Sequence, residues 1–126
     1  MRVLLDTVAL LFAVEAPERL GREARAQLES QDSTLELSAV SVAEIAIKAS
    51  LGKLRFPGHL VQPTVESLRL RVLPFSAEHA IRLFTLPLHH RDPFDRQLIS
   101  QALSEQIPIL TPDRAFRAYR GLHVIW

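Results

Sequence analysis

"RVLLDTVALLFAVEA" (residues 2–16) changes its pattern at one residue. "RVLLD" (2–6) is a short apolar run closed by a carboxylate and reads as a buried strand. "TVALLFAVEA" (7–16) then reads as a helix, broken by Pro17. The same alternation continues outward along the chain. "PERLGREARAQLES" (17–30) has proline near its start and charges on one side, which predicts a second helix. "TLELSAV" (34–40) alternates as a strand does, and "SVAEIAIKASLGKL" (41–54) reads as a helix that Gly52 stops. "HLVQPTVESLRLR" (59–71) is helical after Pro63, and "VLPF" (72–75) is a short strand. "SAEHAIRLFTL" (76–86) and "DPFDRQLISQALSEQ" (92–106) are helices. "IPIL" (107–110) is a strand, "TPDRAFRAY" (111–119) a helix and "HVIW" (123–126) a last strand. Short apolar strands alternating with amphipathic helices predict an α/β fold around a largely parallel sheet of about five strands.

The 126 residues form one domain, 1–126, with no repeat, linker or low-complexity tract. Apolar residues make up 48% of the chain, enough for a core and too many for a disordered segment. There is no cysteine, which excludes disulfides, thiolate chemistry and cysteine-based zinc sites. No stretch approaches the roughly 20 apolar residues of a membrane span. The N-terminal apolar run is cut by Asp6 where a signal peptide should be uncharged, so it is read as mature structure of a cytoplasmic protein. Net charge is +1, which by itself gives no reason to invoke nucleic acid. The distribution says more. Lys48 and Lys53 are the only lysines among 15 basic residues, and Arg91, Arg96, Arg114, Arg117 and Arg120 crowd the last third. Arginine suits phosphate because its planar fork bonds two oxygens at once. A solvated arginine-rich surface is the competing reading.

In open α/β sheets, sites form just beyond the carboxyl ends of the strands. Asp6 ends the first strand, Glu44 falls in the first helical turn after the second, and Asp113 in the first turn after "IPIL". Three carboxylates from distant parts of the chain are therefore expected at one sheet edge. Each has a plainer explanation. "SVAE" (41–44) fits a capping box with Ser41 as cap and Glu44 reaching back. "DPFD" (92–95) fits Asp92 as cap, Pro93 at the first helical position and Asp95 in the first turn. "TPD" (111–113) fits Thr111 as cap. Capping, however, does not require acids to cluster in space. Clustered carboxylates repel, and a divalent cation removes that cost. Mg²⁺ takes oxygen ligands and binds through a few carboxylates plus substrate phosphate.

Other constellations are weaker. "LGKL" (51–54) lacks the spaced glycine and the hydroxyl of a phosphate-binding loop. His89 and His90 are adjacent, are expected to point apart, and lack the spacing of a histidine metal site. His59, His79 and His123 read as ordinary surface or partly buried residues. Ser41 and Ser50 have no identifiable histidine partner for nucleophilic chemistry.

"LLDT" (4–7), "SVAEIAIKASLGKL", "HRDPFDRQLISQA" (90–102) and "LTPDRAFRAY" (110–119) together resemble a PIN-domain protein of the VapC toxin type, in the right order over nearly the whole chain. The resemblance implies a PIN-like three-layer fold and Mg²⁺- or Mn²⁺-dependent RNA cleavage by an acidic cluster. It puts the acids on Asp6, Glu44, Asp95 and Asp113. Asp92 becomes the helix cap that assists, and Thr111 the hydroxyl that supports the site. It further implies a homodimer, a small antitoxin partner and a toxin–antitoxin hetero-oligomer. Relatives commonly carry histidine and tryptophan where this chain has Val8 and Ala43; neither position is a ligand in the resemblance.

The reading is therefore a metal-dependent endoribonuclease acting as a toxin, with Arg91, Arg96 and Arg114 on RNA phosphates. A catalytically silent PIN-like binding module is one alternative. A phosphoacceptor receiver domain is another, disfavoured because Asp6 has no acidic neighbour and no lysine follows Lys53.

Overall fold

The computed structural model describes residues 1–126. Strand β1 (Arg2–Leu5) lies at the centre of a five-stranded sheet of order β3-β2-β1-β4-β5. Its neighbours are β2 (Thr34–Ser38) and β4 (Ile109–Leu110); β3 (Arg71–Leu73) and β5 (Val124–Ile125) form the edges. Every pairing is parallel, as the apolar runs predict. Parallel neighbours need crossovers, which the helices supply. Helices α1 (Thr7–Glu15) and α2 (Arg22–Glu29) join β1 to β2. Helices α3 (Ala39–Ser50) and α4 (Val61–Ser67) join β2 to β3. Helices α5 (Ala77–Ile81) and α6 (Pro93–Glu105) join β3 to β4.

Successive strand residues point to opposite faces, so β1 feeds two cores. Val3 and Leu5 pack with Leu35, Leu37, Leu110 and Ile125 beneath Ala9 and Leu10 of α1, Ala24 of α2 and Ile45 of α3. Leu4 and Ile109 pack on the other face with Leu98, Ile99 and Ala102 of α6, and with Phe116 and Tyr119. Each fully buried aliphatic side chain contributes roughly 1.5–3 kcal/mol. Both faces of the sheet are thus covered, giving the expected three layers.

Several expected boundaries move. The helix expected over 17–30 is a 3-10 turn (Pro17–Arg19) followed by α2. Between them, a Cβ on Gly21 would lie 2.4 Å from the backbone of Trp126, so the chain passes too close for any side chain there. The helix expected over 76–86 is α5 followed by a 3-10 turn, Arg82–Phe84. The one expected over 111–119 is only a 3-10 helix, Arg114–Ala118. Helix α3 starts earlier than "SVAE" suggests: β2 pairing ends at Ser38, and the Ser38 hydroxyl accepts the Val40 N–H at 3.0 Å. Gly52 does stop α3. It adopts φ +71°, with Lys53 N–H bonded to Lys48 O and Gly52 N–H to Ala49 O, a Schellman closure.

One buried charge network ties the layers at the amino ends of the strands. Glu36, in mid-β2 and 1% exposed, accepts Arg2 Nε at 2.7 Å. Arg2 also donates to Glu105 at the end of α6, at 2.9 Å. Glu105 lies 3.1 Å from His79 Nε2 of α5. Arg2 and then His79 hold the Glu105 carboxyl below the usual carboxylate range. A buried carboxylate needs such partners, because desolvation otherwise outweighs any packing gain.

Candidate metal centre

The acids gather at the carboxyl ends of β1 and β4, where a parallel sheet places its sites. Asp6 directly follows β1. It is 2% exposed and caps α1, with Oδ1 accepting the Ala9 N–H at 2.6 Å. Burial pushes its carboxyl up to about 7, against the opposing hydrogen bonds from Thr111 and Ala9 and with the charges of Asp95 and Asp113 adding to the rise. Thr111 is itself buried. It supports Asp6 from one side and accepts the Asp113 N–H at 3.0 Å on the other. The 3-10 turn is capped by Asp113, not by Thr111: Asp113 Oδ1 accepts the Ala115 N–H at 2.9 Å.

Glu44 belongs to no capping box. Because α3 begins at Ala39 under the Ser38 cap, Glu44 falls in its second turn, and Ser41 is a buried interior residue. Glu44 Oε1 accepts the Thr7 hydroxyl at 2.6 Å, which lies 3.0 Å from Ser41 Oγ. Glu44 Oε2 pairs with Lys48 one turn on. Thr7 and Lys48 were not singled out in the sequence; the i,i+4 spacing of Glu44 and Lys48 was the available signal.

In "DPFD" the two aspartates divide the work. Asp92 caps α6, accepting the N–H groups of Phe94 at 2.8 Å and Asp95 at 3.2 Å. Asp95, freed from capping, turns towards the cluster. Burial first, then the charge of Asp92, push its carboxyl up to about 6; His90 opposes the rise, and Glu44 and Asp113 add to it. Asp6 thus feels Asp95 and Asp113, and Asp95 feels Asp92, Glu44 and Asp113.

His90 is the residue that sequence reasoning missed. Its Nε2 lies 2.8 Å from Asp113 Oδ2 and 3.2 Å from Asp95 Oδ2, and one donor atom from each of the three residues lies within 4.8 Å of the others. The expectation that His89 and His90 point apart holds. His89 stacks edge-on against Tyr119, and His90 turns into the cluster. The ring is aimed inward by a turn in which His90 Nδ1 accepts the Asp92 N–H at 3.1 Å.

The three arginines separate. Arg91 and Arg114 are exposed. The guanidinium of Arg96 is committed to carbonyls: Nη1 to Pro87 at 2.9 Å and His90 at 3.2 Å, Nη2 to Leu86 at 3.2 Å. It pins the loop that presents His90.

A cleft of about 750 Å³, lined by Met1, Glu23, Leu103, Arg120 and His123 among others, opens at the amino ends of β4 and β5 and contains none of the four acids. The donor set fits a hard divalent cation. It consists of carboxylate oxygens, two of them pushed up first by burial and then by neighbouring carboxylate charge. No helix of the protein is long and apolar enough to cross a membrane.

An all-parallel five-stranded sheet with acids converging at its carboxyl edge defines the PIN class of domain. The chain belongs to that family: the PIN domain model matches residues 3–122. Solved structures share the fold along its whole length. VapBC2 from Rickettsia felis, bound to a promoter DNA fragment, is 19% identical over 98% of this chain and 97% of that one, with a TM-score of 0.75. DNA-bound VapBC from Salmonella typhimurium is 19% identical over 98% and 96%, TM-score 0.74. VapBC-5 from Mycobacterium tuberculosis, a member of the VapBC family of toxin–antitoxin systems, is 19% identical over 98% and 97%, TM-score 0.64. No curated protein sequence matches the chain.

Proposed function

We propose that this PIN domain is a divalent-metal-dependent endoribonuclease and the VapC-type toxin of a toxin–antitoxin pair. The observation that carries the reading is the convergence of Asp6, Glu44, Asp95 and Asp113 from four separate elements, with Asp6 and Asp95 pushed up to about 7 and 6. Helix capping alone explains none of that convergence.

Held by these four acids, Mg²⁺ (or Mn²⁺ in its place) would supply Lewis acidity, acidifying a water and offsetting charge that builds on the phosphate. The chain's own residues do the positioning. Thr111 and the Ala9 N–H orient Asp6, Thr7 and Lys48 orient Glu44, and Asp92 fixes the first turn that carries Asp95. Such pre-arranged groups need no reorganisation as charge develops. Arg91 and Arg114, exposed next to the segments bearing Asp95 and Asp113, take the flanking RNA phosphates.

The protein partner we assign is a small antitoxin, within a hetero-oligomer built on a toxin homodimer in the cytoplasm. The antitoxin is supported by the full-length likeness to structures of VapBC complexes. The test is cleavage of labelled RNA by the purified chain. Cleavage should need Mg²⁺ or Mn²⁺, stop in EDTA, and vanish in Asp6→Asn, Glu44→Gln, Asp95→Asn and Asp113→Asn with circular dichroism unchanged. RNA left intact with either metal, or cut equally in EDTA, would reject the reading.

A further inference from the structure

His90 stands between two of the proposed ligands with its polarity fixed. A backbone N–H can only donate, and the Asp92 N–H points at His90 Nδ1 at 3.1 Å. Nδ1 therefore presents its lone pair, and the ring proton sits on Nε2. Nε2–H therefore donates to Asp113 Oδ2 at 2.8 Å, with Asp95 Oδ2 lying 3.2 Å from the same nitrogen.

A metal-ligating histidine is wired the other way. Its coordinating nitrogen is bare, and its other nitrogen donates to a carboxylate, carbonyl or water. Exchanging the two roles here would set Nδ1–H against the Asp92 N–H. The ring has little freedom to avoid that clash. It packs edge-on against Phe116 at 5.4 Å, and Arg96 holds the His90 carbonyl. Yet the Nε2–H occupies the space between Asp95 and Asp113 that a cation bound to both would need, since the three donor atoms lie within 4.8 Å.

We infer that His90 is a stand-in for the cation: its Nε2–H, bonded to Asp113 and in contact with Asp95, sits between the two carboxylates in the metal-free protein, and metal binding displaces it. The inference rests on the reading of the four acids as a metal site. It makes His90 a positioning residue that lowers metal affinity, and it explains how a cluster of acids stays folded without its ion. The hydrogen bond and the cation compete for the same two oxygens.

The experiment is calorimetric titration of Mg²⁺ and Mn²⁺ into the wild type, His90→Ala and His90→Phe, with the ¹⁵N imidazole spectrum of the wild type recorded with and without Mg²⁺. The phenylalanine variant keeps a ring against Phe116 should the alanine variant fail to fold. Both variants should bind metal more tightly, by roughly ten- to a hundredfold, the loss of one charge-assisted hydrogen bond from the competing state. In the wild type, Mg²⁺ should shift the Nε2 resonance while Nε2 keeps its proton. Weaker binding in the variants, with the wild-type Nε2 losing its proton to coordination, would make His90 a ligand. Unchanged affinity would make it a bystander. Either result overturns the inference and leaves the metal site standing. No binding by any of the three proteins would overturn both.

Discussion

Asp95 sits three residues after Asp92, yet only Asp92 accepts helix N–H groups. Removing the Asp95 charge sacrifices a dipole interaction of about 0.3–1 kcal/mol and weakens the contact with His90 Nε2, 3.2 Å away, which an asparagine oxygen can still make. Against that stands the repulsion it relieves, roughly 3 kcal/mol for two charges about 6 Å apart at an effective dielectric of about 20. Asp95→Asn should melt several degrees higher than the wild type in EDTA at pH 8, and Mg²⁺ should stabilise the wild type more than the variant. A variant that melts lower, with neither protein responding to metal, would reduce "DPFD" to a cap. The same acids set a pH dependence. Asp6 and Asp95 titrate near 7 and 6 in the folded state against 3.8 unfolded. The folded protein then binds more protons than the unfolded chain between those values. The stability they contribute is complete below about pH 4 and is lost as pH rises through 6 to 7, so melting in EDTA should fall between pH 5 and pH 8. Saturating Mg²⁺ should flatten that slope. At this scale the positions of Asp6 after a strand and of Asp95 in a first helical turn were legible, whereas Glu44 lies one turn deeper in α3 than its pattern suggests. His90 was not legible: its role depends on a ring turned by one backbone N–H, and adjacency to His89 carries no trace of it.

The three arginines near the site show what an element adds. Phosphate binding and carbonyl pinning use the same five donors, so sequence cannot separate them. Position on α6 does: Arg96 lies one turn in, facing back along the 86–90 loop, and its donors are spent there. Arg96→Ala should cost about 1–3 kcal/mol of stability, for several net hydrogen bonds, and so lower the melting temperature. Arg91→Ala and Arg114→Ala should leave melting unchanged, weaken RNA binding and flatten its dependence on salt. Equal behaviour of all three in melts and in RNA binding would erase the distinction. Helix α3 teaches the same lesson. "SVAE" satisfied a capping pattern, but strand pairing ended two residues before the expected boundary and Ser38 took the cap. Local patterns fix that a helix exists; the neighbouring strand decides where it starts.

Across the whole molecule, the alternation of apolar strands and amphipathic helices was enough to predict a parallel sheet covered on both faces. Strand order was not legible, because nothing in "RVLLD" or "IPIL" says which becomes the centre. Nor was Glu36, a carboxylate inside a strand that only a distant Arg2 and α6 explain. That network has a mechanical reading. Helix α6 is a rod of 13 residues, about 20 Å long at 1.5 Å per residue. It carries Asp95 at one end, and Glu105 anchors the other to Arg2, the first residue of the strand that leads into Asp6. The rod and the strand are fastened together at the far end, so the gap between Asp95 and Asp6 is gauged from there, as the jaws of a calliper are gauged from its pivot. Loosening the pivot should spoil the gauge. Arg2→Met combined with Glu36→Leu, which leaves no buried carboxylate unpaired and touches no proposed ligand, should weaken Mn²⁺ binding measured by calorimetry while circular dichroism still reports the native fold; unchanged affinity would show that the jaws are set locally.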